Sequence, residues 1–232
     1  MTATAVINAE GLSRRYGRRW ALVHLNLSLA AGERLLVVGR NGAGKSTLLR
    51  VLATALRADQ GELEIAGFNV HTERQKARTQ VALLGHHSYL FEDLTAIENL
   101  RIVARMAAKS ADDQALESLL DDIGLLGRRN DPVSTFSAGM RKRLAIGRLL
   151  VQQPALALFD EPYGQLDPAG FAWLESVFER LKANGTTLVI ATHLIARGAA
   201  VCDRAIVLEE GRTVWSGDAD KLPKDAGLEP VR

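Results

Sequence analysis

The sequence predicts an α/β fold in which a mostly parallel β-sheet is covered by helices. Four short, uninterrupted apolar runs support this prediction, because such runs are typical of strands that are buried on both faces. The runs occupy residues 35–38, 81–84, 156–159 and 188–191. Helical patterns lie between them, and Leu48, Leu49 and Leu52 share one face of the first predicted helix.

The middle third of the chain contains helical patterns and no candidate strand. Thr95 and Glu98 are spaced as a capping box, in which each side chain bonds to a free backbone N–H of the other residue. Apolar residues then repeat at helical spacing in two stretches, Leu100, Val103, Ala104 and Ala107, then Leu116, Leu119, Leu120 and Ile123. Gly124 is a suitable end for the second helix.

Two β-rich pieces flank the predicted core. Residues 61–67 alternate with period two, and residues 205–215 have the pattern of a hairpin that turns at Glu210-Gly211. We therefore expect a single domain, 1–232, made of a core from about 1–85 and 140–232, with an N-terminal antiparallel β subdomain, and a helical subdomain at 86–139.

The composition is that of an ordinary folded domain. Of 232 residues, 47% are hydrophobic and 24% are charged, which argues against disorder. The formal net charge of +2 is too small to require a polyanionic partner, so no nucleic acid is expected. We interpret two short basic clusters, 14–19 and 141–143, mainly as solvated surface, with a phosphate-facing or membrane-facing role as the alternative.

The chain has one cysteine and no pattern of a targeting segment. Cys202 lies in an apolar stretch and is interpreted as a small core residue. The N-terminus has no basic region followed by an apolar run, so no signal peptide is expected. No stretch approaches the ~18 apolar residues that a membrane helix needs. We expect a chain that is soluble by itself and reaches a membrane only through another protein.

A phosphate-binding loop follows the first apolar run. The segment Gly39-Arg40-Asn41-Gly42-Ala43-Gly44-Lys45-Ser46-Thr47 matches the pattern GxxxxGK[ST] of P-loop NTPases, whose cores are RecA-like. Its glycines let backbone N–H groups surround a phosphate, and the next helix points its positive end at the anion. We expect Lys45 to contact the β- and γ-phosphates of ATP and Ser46 to ligate Mg²⁺.

Two further strand ends carry polar residues that suit this chemistry. The run at 156–159 is followed by Asp160, expected to hold Mg²⁺, and by Glu161, expected to polarise the attacking water. His193 follows the run at 188–191. A histidine after a strand is more often structural, but ligands bind at this edge of a parallel sheet, so we expect His193 to donate to a γ-phosphate oxygen.

The segment 136–143 resembles the signature of the ABC ATPase family, LSGGQxxR. Ser137, Gly139 and Arg143 match it, whereas Phe136, Ala138 and Met140 differ. The resemblance implies that Ser137, Ala138, Gly139 and Met140 reach the ATP bound by a second copy of the chain, in a head-to-tail dimer that encloses two ATP molecules. The alternative for this segment alone is an ordinary helix that Ser137 caps.

The resemblance extends over essentially the whole chain. It implies that Tyr16 stacks on adenine, with a half-buried core tyrosine as the alternative, that Asp167 belongs to the family's D-loop, and that His193 is its switch histidine. The family usually places a glutamine that contacts Mg²⁺ at the start of the helical insert, where this chain has His86. We therefore count His86 among the catalytic candidates, with the hypothesis that it makes hydrolysis more sensitive to acid.

Residues 85–86 and 94–100 also resemble one subfamily, the ATP-binding subunits of the haem exporter for cytochrome c maturation. This implies an ATPase on the cytoplasmic face of the inner membrane, peripheral to membrane-spanning transporter subunits. Three alternatives stay open: another exporter of drugs, lipids or polysaccharides, a soluble ABC protein that acts on ribosomes or DNA, and a regulatory module that does not turn over. Glu161 argues against the last.

Overall fold

The structure is a computed structural model that describes residues 5–86, 88–223 and 226. The strands are β1 (Ala5–Tyr16), β2 (Arg19–Ala30), β3 (Arg34–Gly39), β4 (Gln60–Ile65), β5 (Phe68–Asn69), β6 (Val81–Leu84), β7 (Leu156–Asp160), β8 (Thr187–Ala191), β9 (Arg204–Glu209) and β10 (Arg212–Asp218). The helices are α1 (Lys45–Leu52), α2 (Arg74–Thr79), α3 (Ala96–Met106), α4 (Asp113–Asp122), α5 (Ala138–Gln152), α6 (Pro168–Ala183) and α7 (Ile195–Val201). Short 3-10 turns occupy Leu126–Arg128, Val133–Thr135 and Ala219–Lys221.

The main sheet has six strands in the order β10-β9-β3-β8-β7-β6. All neighbours pair in parallel except β9 and β10, which form an antiparallel hairpin at one edge. The four apolar runs form the adjacent strands β3, β8, β7 and β6, as the sequence predicts. The pattern at 205–215 is correctly interpreted as a hairpin, but it extends the main sheet and does not flank it.

Both faces of this sheet are buried, which explains its uninterrupted apolar runs. In β3, Leu35 and Val37 face α1 and the N-terminal strands, whereas Leu36 and Val38 belong to a second cluster with Phe178 of α6. The predicted α/β class, with a mostly parallel sheet, is confirmed.

A second, antiparallel sheet with the order β2-β1-β4-β5 packs on the α1 side of the main sheet. In β4, Leu63 and Ile65 are buried, while Glu62 and Glu64 are exposed, as the alternation at 61–67 predicts. The N-terminal antiparallel sheet is therefore present.

Helices α3 and α4 bury a separate apolar cluster, which Leu144 of α5 completes. The capping box at the start of α3 is present: Glu98 N–H donates to the Thr95 hydroxyl, and Thr95 N–H donates to the Glu98 carboxylate at 2.8 Å. Because α5 contributes to this cluster and to the main core, the boundary at 139–140 falls within its first turn. The division into subdomains stays a prediction.

Among the described residues, no helix combines the length and hydrophobicity of a membrane-spanning segment. Cys202 is buried, as expected for a small core residue. Burial raises the pKa of its thiol to about 12, since the thiolate would lose its hydration there. The thiol is therefore protonated and unreactive at neutral pH.

Candidate nucleotide-binding site

A glycine-rich turn joins β3 to α1 and closes around a concave space. Gly44 has a φ of +111°, and a Cβ built on it would lie 2.4 Å from the carbonyl oxygen of Ala21. At Gly39 a Cβ would lie 2.4 Å from the Leu208 carbonyl oxygen. Only glycine fits at these positions, because the backbone turns against two other strands at van der Waals distance. The pattern that the sequence predicts as a phosphate-binding loop therefore forms a backbone cradle.

Lys45, the first residue of α1, folds back across this turn. Its Nζ donates hydrogen bonds to the carbonyl oxygens of Gly39 at 2.6 Å and Arg40 at 3.1 Å. Burial lowers the pKa of Lys45, while the nearby Glu161 and Asp160 carboxylates oppose that change. The ammonium is thus partly desolvated and available to an anion that enters the cradle.

Two carboxylates follow one another at the end of β7. Asp160 ends the strand and is only 8% exposed. Glu161 follows with a φ of +50°, in the left-handed region that non-glycine residues rarely adopt. Both residues nevertheless line the same cleft.

The Glu161 carboxylate is held by residues that follow β8. Its Oε2 accepts hydrogen bonds from the Thr192 hydroxyl at 3.2 Å and from the backbone N–H of His193 at 3.2 Å. Nδ1 of His193 lies 2.8 Å from the same oxygen. His193 is therefore placed beside Glu161, and its imidazole is 70% exposed.

The glycine-rich turn, Lys45 and the two carboxylates border one cleft of about 430 Å³, whereas Thr192 and His193 are not among the described residues that line it. Nine of the residues predicted from the sequence line it: Tyr16, Asn41, Gly42, Gly44, Lys45, Ser46, Thr47, Asp160 and Glu161. Tyr16 is 47% exposed at this cleft, and the Arg14 guanidinium lies 5.3 Å from its ring centroid. The cleft therefore combines an aromatic ring, a glycine cradle, an ammonium group and two carboxylates.

The donor set of this cleft fits a nucleotide with a magnesium ion. The Ser46 hydroxyl and the Asp160 carboxylate offer hard oxygen atoms, which Mg²⁺ prefers. The described residues contain no group of three or more histidine, cysteine or acidic side chains that would hold a metal. Phosphate and water oxygens would therefore have to complete an octahedral shell, as is usual for Mg²⁺.

The signature residues lie outside this cleft. Ser137 is exposed and caps α5, with its hydroxyl accepting from Met140 N–H at 3.3 Å. A Cβ on Gly139 would lie 3.2 Å from the Gln165 carbonyl oxygen, so the signature turn packs closely on the 164–167 segment of its own chain. Asp167 caps α6 through the N–H of Gly170 at 2.7 Å.

The remaining predicted site residues have separate positions. Gly39, Arg40 and Ala43 belong to the cradle without lining the cleft, and the Ala43 carbonyl accepts from Gly211 N–H at 3.0 Å. His86 is exposed just after β6 and is not among the described residues that line the cleft. Residue 87 lies outside the described part of the chain, and the catalytic role of His86 stays a prediction.

Three side chains near the site were missed or misinterpreted at the level of sequence. Arg19 of β2 is exposed and lines the cleft, which agrees with the phosphate-facing alternative for the basic cluster 14–19. Lys142 is 9% exposed, so the interpretation of the cluster 141–143 as solvated surface is wrong for this residue. Thr192 is buried and holds Glu161. The signal for Arg19 was its neighbour Tyr16, and the signal for Thr192 was its place at a strand end beside His193.

Known proteins resemble this chain over nearly its full length. The sequence model of the ABC transporter family matches residues 22–164. The daunorubicin resistance ATP-binding protein DrrA3 of Streptomyces coeruleorubidus is 36% identical over 231 residues, which cover 97% of this chain and 72% of that protein. The cytochrome c biogenesis ATP-binding export protein CcmA of Methylococcus capsulatus is 36% identical over 189 residues, covering 82% of this chain and 91% of that protein.

Solved structures share the fold. One described as an ATP binding subunit of an ABC transporter superposes with a TM-score of 0.86 at 28% identity, covering 93% of this chain and 90% of that chain. A dimeric structure of the ATP-binding cassette MJ0796, bound to ADP and Pi, has a TM-score of 0.81 and covers 92% and 98%, but at 24% identity it supports the fold alone. On the family match and these relatives, the chain belongs to the ABC transporter family as an ATP-binding subunit, the component that in this family couples ATP hydrolysis to transport.

Proposed function

We propose that this chain is the ATP-hydrolysing motor subunit of an ABC exporter. The observation that carries the proposal is the gathering of Lys45, Asp160 and Glu161 around one glycine-lined cleft. A phosphate cradle alone suits any nucleotide-binding module. A carboxylate held in place one residue beyond the metal-binding candidate is what hydrolysis requires in addition.

In this proposal the cleft residues divide the work of binding. The N–H groups of the 39–45 turn and the Lys45 ammonium hold the phosphates, and the Tyr16 ring stacks on the adenine. Ser46 and Asp160 hold Mg²⁺, which when bound neutralises charge on the phosphate oxygens. Arg19 adds a second cation at the side of Gly42, since its guanidinium lies 3.7 Å from where a Gly42 Cβ would stand.

Glu161 is the proposed general base, which accepts a proton from the attacking water. Its carboxylate needs a fixed direction for that task, and Thr192 and His193 supply it through three contacts to one oxygen. His193 orients the base from an exposed position, from which it can also meet the γ-phosphate.

The exposed signature supports action as a head-to-tail dimer. Ser137 faces solvent outside its own cleft, so its hydroxyl is available to an ATP molecule held by a second copy. The dimeric cassette with ADP and Pi has the same fold, and we extend its assembly to this chain as part of the proposal. Asp167 lies on the loop that packs beneath the signature turn.

The cargo is proposed from the relatives. Several carry export or resistance in their names: daunorubicin resistance, Nod factor export and linearmycin resistance. We therefore place the chain at the cytoplasmic face of the membrane, bound to membrane-spanning subunits of a small-molecule exporter. Haem export is the second candidate, because the CcmA match covers 91% of that protein.

Two substitutions test the proposed activity. Lys45→Ala should abolish ATP binding, because the cradle loses its ammonium, whereas Glu161→Gln should bind ATP and lose at least about 100-fold in turnover, because a base contributes that much. ATP binding by fluorescence titration and phosphate release should be measured on all three proteins. Equal hydrolysis by wild type and Glu161→Gln would remove Glu161 from the mechanism.

The cargo is tested after the membrane partner has been purified with the subunit. Turnover of the complex in lipid nanodiscs should rise with an anthracycline if the exporter resembles the resistance proteins, and with haem if the second candidate holds. Glu161→Gln complexes serve as the control for contaminating ATPases.

A further inference from the structure

A buried lysine connects the signature helix to the proposed base. Lys142 is the fifth residue of α5 and is 9% exposed. Its Nζ donates a hydrogen bond to the backbone carbonyl oxygen of Glu161 at 3.1 Å. A charged group is rarely buried unless it is paired or hydrogen-bonded. Here the attraction of Asp160 and Glu161 compensates for part of the lost hydration, although burial still lowers the pKa of Lys142 to about 8.

Lys142 holds a residue whose backbone is strained. Glu161 has a φ of +50°, a left-handed conformation that is strained for residues other than glycine. Its N–H donates to the Ala191 carbonyl of β8 at 2.8 Å, and its carbonyl accepts from Lys142 and, at 3.4 Å, from Gly164 N–H. The peptide groups on both sides of this residue are therefore fixed, from β8 and from α5, and this directs the carboxylate toward Thr192 and His193.

The same helix presents the signature. Ser137 caps α5 and is exposed, and five residues of helix, a rise of about 7.5 Å, separate it from Lys142. Gly139, between them, packs on the Gln165 carbonyl oxygen. A displacement of the signature turn therefore moves the Lys142 stem as part of one rigid helix, and Nζ carries that displacement to the Glu161 carbonyl.

We propose that Lys142 is a positioning residue that couples the two ATP sites of the dimer. Engagement of the partner's nucleotide by Ser137 fixes α5, and Lys142 then sets the Glu161 backbone for hydrolysis of the nucleotide in its own subunit. This inference rests on the proposed function and adds to it a direct path between the sites. Lys142 touches no reacting atom, so its effect is on turnover and on cooperativity, not on affinity.

The test compares Lys142→Met, Lys142→Arg and the wild type. Lys142→Met should lower kcat about ten- to a hundredfold, the usual cost of misplacing a reacting group, with the Kd for ATP changed by less than about twofold. The Hill coefficient of its hydrolysis rate as a function of ATP concentration should fall toward 1, because the coupling between sites is lost. Lys142→Arg should restore most of both, since a guanidinium can donate to the same carbonyl.

Lys182→Met is the matched control. Lys182 of α6 also makes a hydrogen bond through its Nζ, to the Asp203 carboxylate at 2.7 Å, and it lies away from the cleft. The variant should lose stability but keep kcat and cooperativity. If Lys142→Met does not fold, Lys142→Gln replaces it, and the same loss is expected because the shorter side chain does not reach the carbonyl.

The possible results distinguish failure of the positioning role of Lys142 from failure of the proposed ATPase function. Wild-type kcat and Hill coefficient in Lys142→Met, or an equal loss of kcat in Lys182→Met, would overturn the positioning role while wild-type hydrolysis still supports the proposed ATPase. A wild type that binds no ATP would overturn both.

Discussion

At the scale of single residues, Lys142 differs from the other charged groups of the site, because it is buried and donates to a backbone carbonyl. Lys45, Ser46, Asp160 and Glu161 all border the cleft, because each belongs to a fixed spacing at a strand end. Lys142 belongs to no such spacing: a basic run is usually solvated, and only the contact of α5 with Glu161, the residue after β7, reveals that one of its members is buried.

The burial of Lys142 also makes stability depend on pH. Its pKa is about 8 in the folded protein, whereas an exposed lysine of the unfolded chain has the ordinary value of 10.5, so the unfolded chain binds more protons between these values. Below pH 8 the buried ammonium therefore lowers the free energy of unfolding by its full amount. This penalty disappears as the pH rises through 10.5. We expect any stability advantage of Lys142→Met over wild type to shrink by on the order of 1–3 kcal/mol between pH 7 and 10.

Urea unfolding of both proteins at pH 7, 8, 9 and 10 measures this difference. The other ionisable groups are common to both proteins, so their effects cancel in the comparison. A difference between variant and wild type that is constant over this range would show that Lys142 is not desolvated.

At the scale of elements, strand and helix positions follow from pattern, while the contacts between elements do not. The capping box starts α3 as predicted, and Gly124, with a φ of +71°, follows the end of α4. The approach of β2 to the phosphate cradle is different, because it depends on an antiparallel sheet whose packing no local pattern encodes. Arg19 and Ala21 reach the site by that route.

Gly44 tests the close approach between the cradle and β2. Gly44→Ala should abolish ATP binding, because Gly44 has a φ of +111° and the added methyl carbon would lie 2.4 Å from the Ala21 carbonyl oxygen. Gly32→Ala is the matched control: its φ is +74°, but nothing lies within 4 Å of the added carbon. It should cost about 1 kcal/mol of stability and still bind ATP.

Isothermal titration with ATP and a melting curve for each variant make this comparison. Equal ATP affinity in Gly44→Ala and wild type would mean that the cradle adapts by moving β2, and that its backbone shape is not fixed by contact.

At the scale of the whole molecule, the fold class was predictable and the assembly of its two sheets was not. Four apolar runs predict the parallel core, because strands that are buried on both faces consist of uninterrupted apolar residues. The placement of β9 and β10 at the edge of the main sheet depends on long-range pairing with β3, where Leu36 is opposite Ala205. The hairpin pattern alone does not distinguish two strands at the edge of the main sheet from a separate β-hairpin that flanks the core.

The turn at Glu210-Gly211 connects the edge hairpin to the phosphate cradle and to β2. Gly211 N–H donates to the Ala43 carbonyl at 3.0 Å, and its carbonyl accepts from Val23 N–H at 2.8 Å, so the hairpin tip ties the cradle to β2. Tips of surface hairpins are ordinarily good places to insert an epitope or a fluorescent label. Here a short peptide inserted between residues 210 and 211 should abolish nucleotide binding and leave the circular dichroism spectrum unchanged. The same peptide between Ala66 and Gly67, in the turn that joins β4 to β5 and does not line the cleft, is the control and should leave ATP binding intact. If the protein with the peptide between residues 210 and 211 still binds ATP, the two backbone hydrogen bonds of Gly211 are not required to hold the cradle.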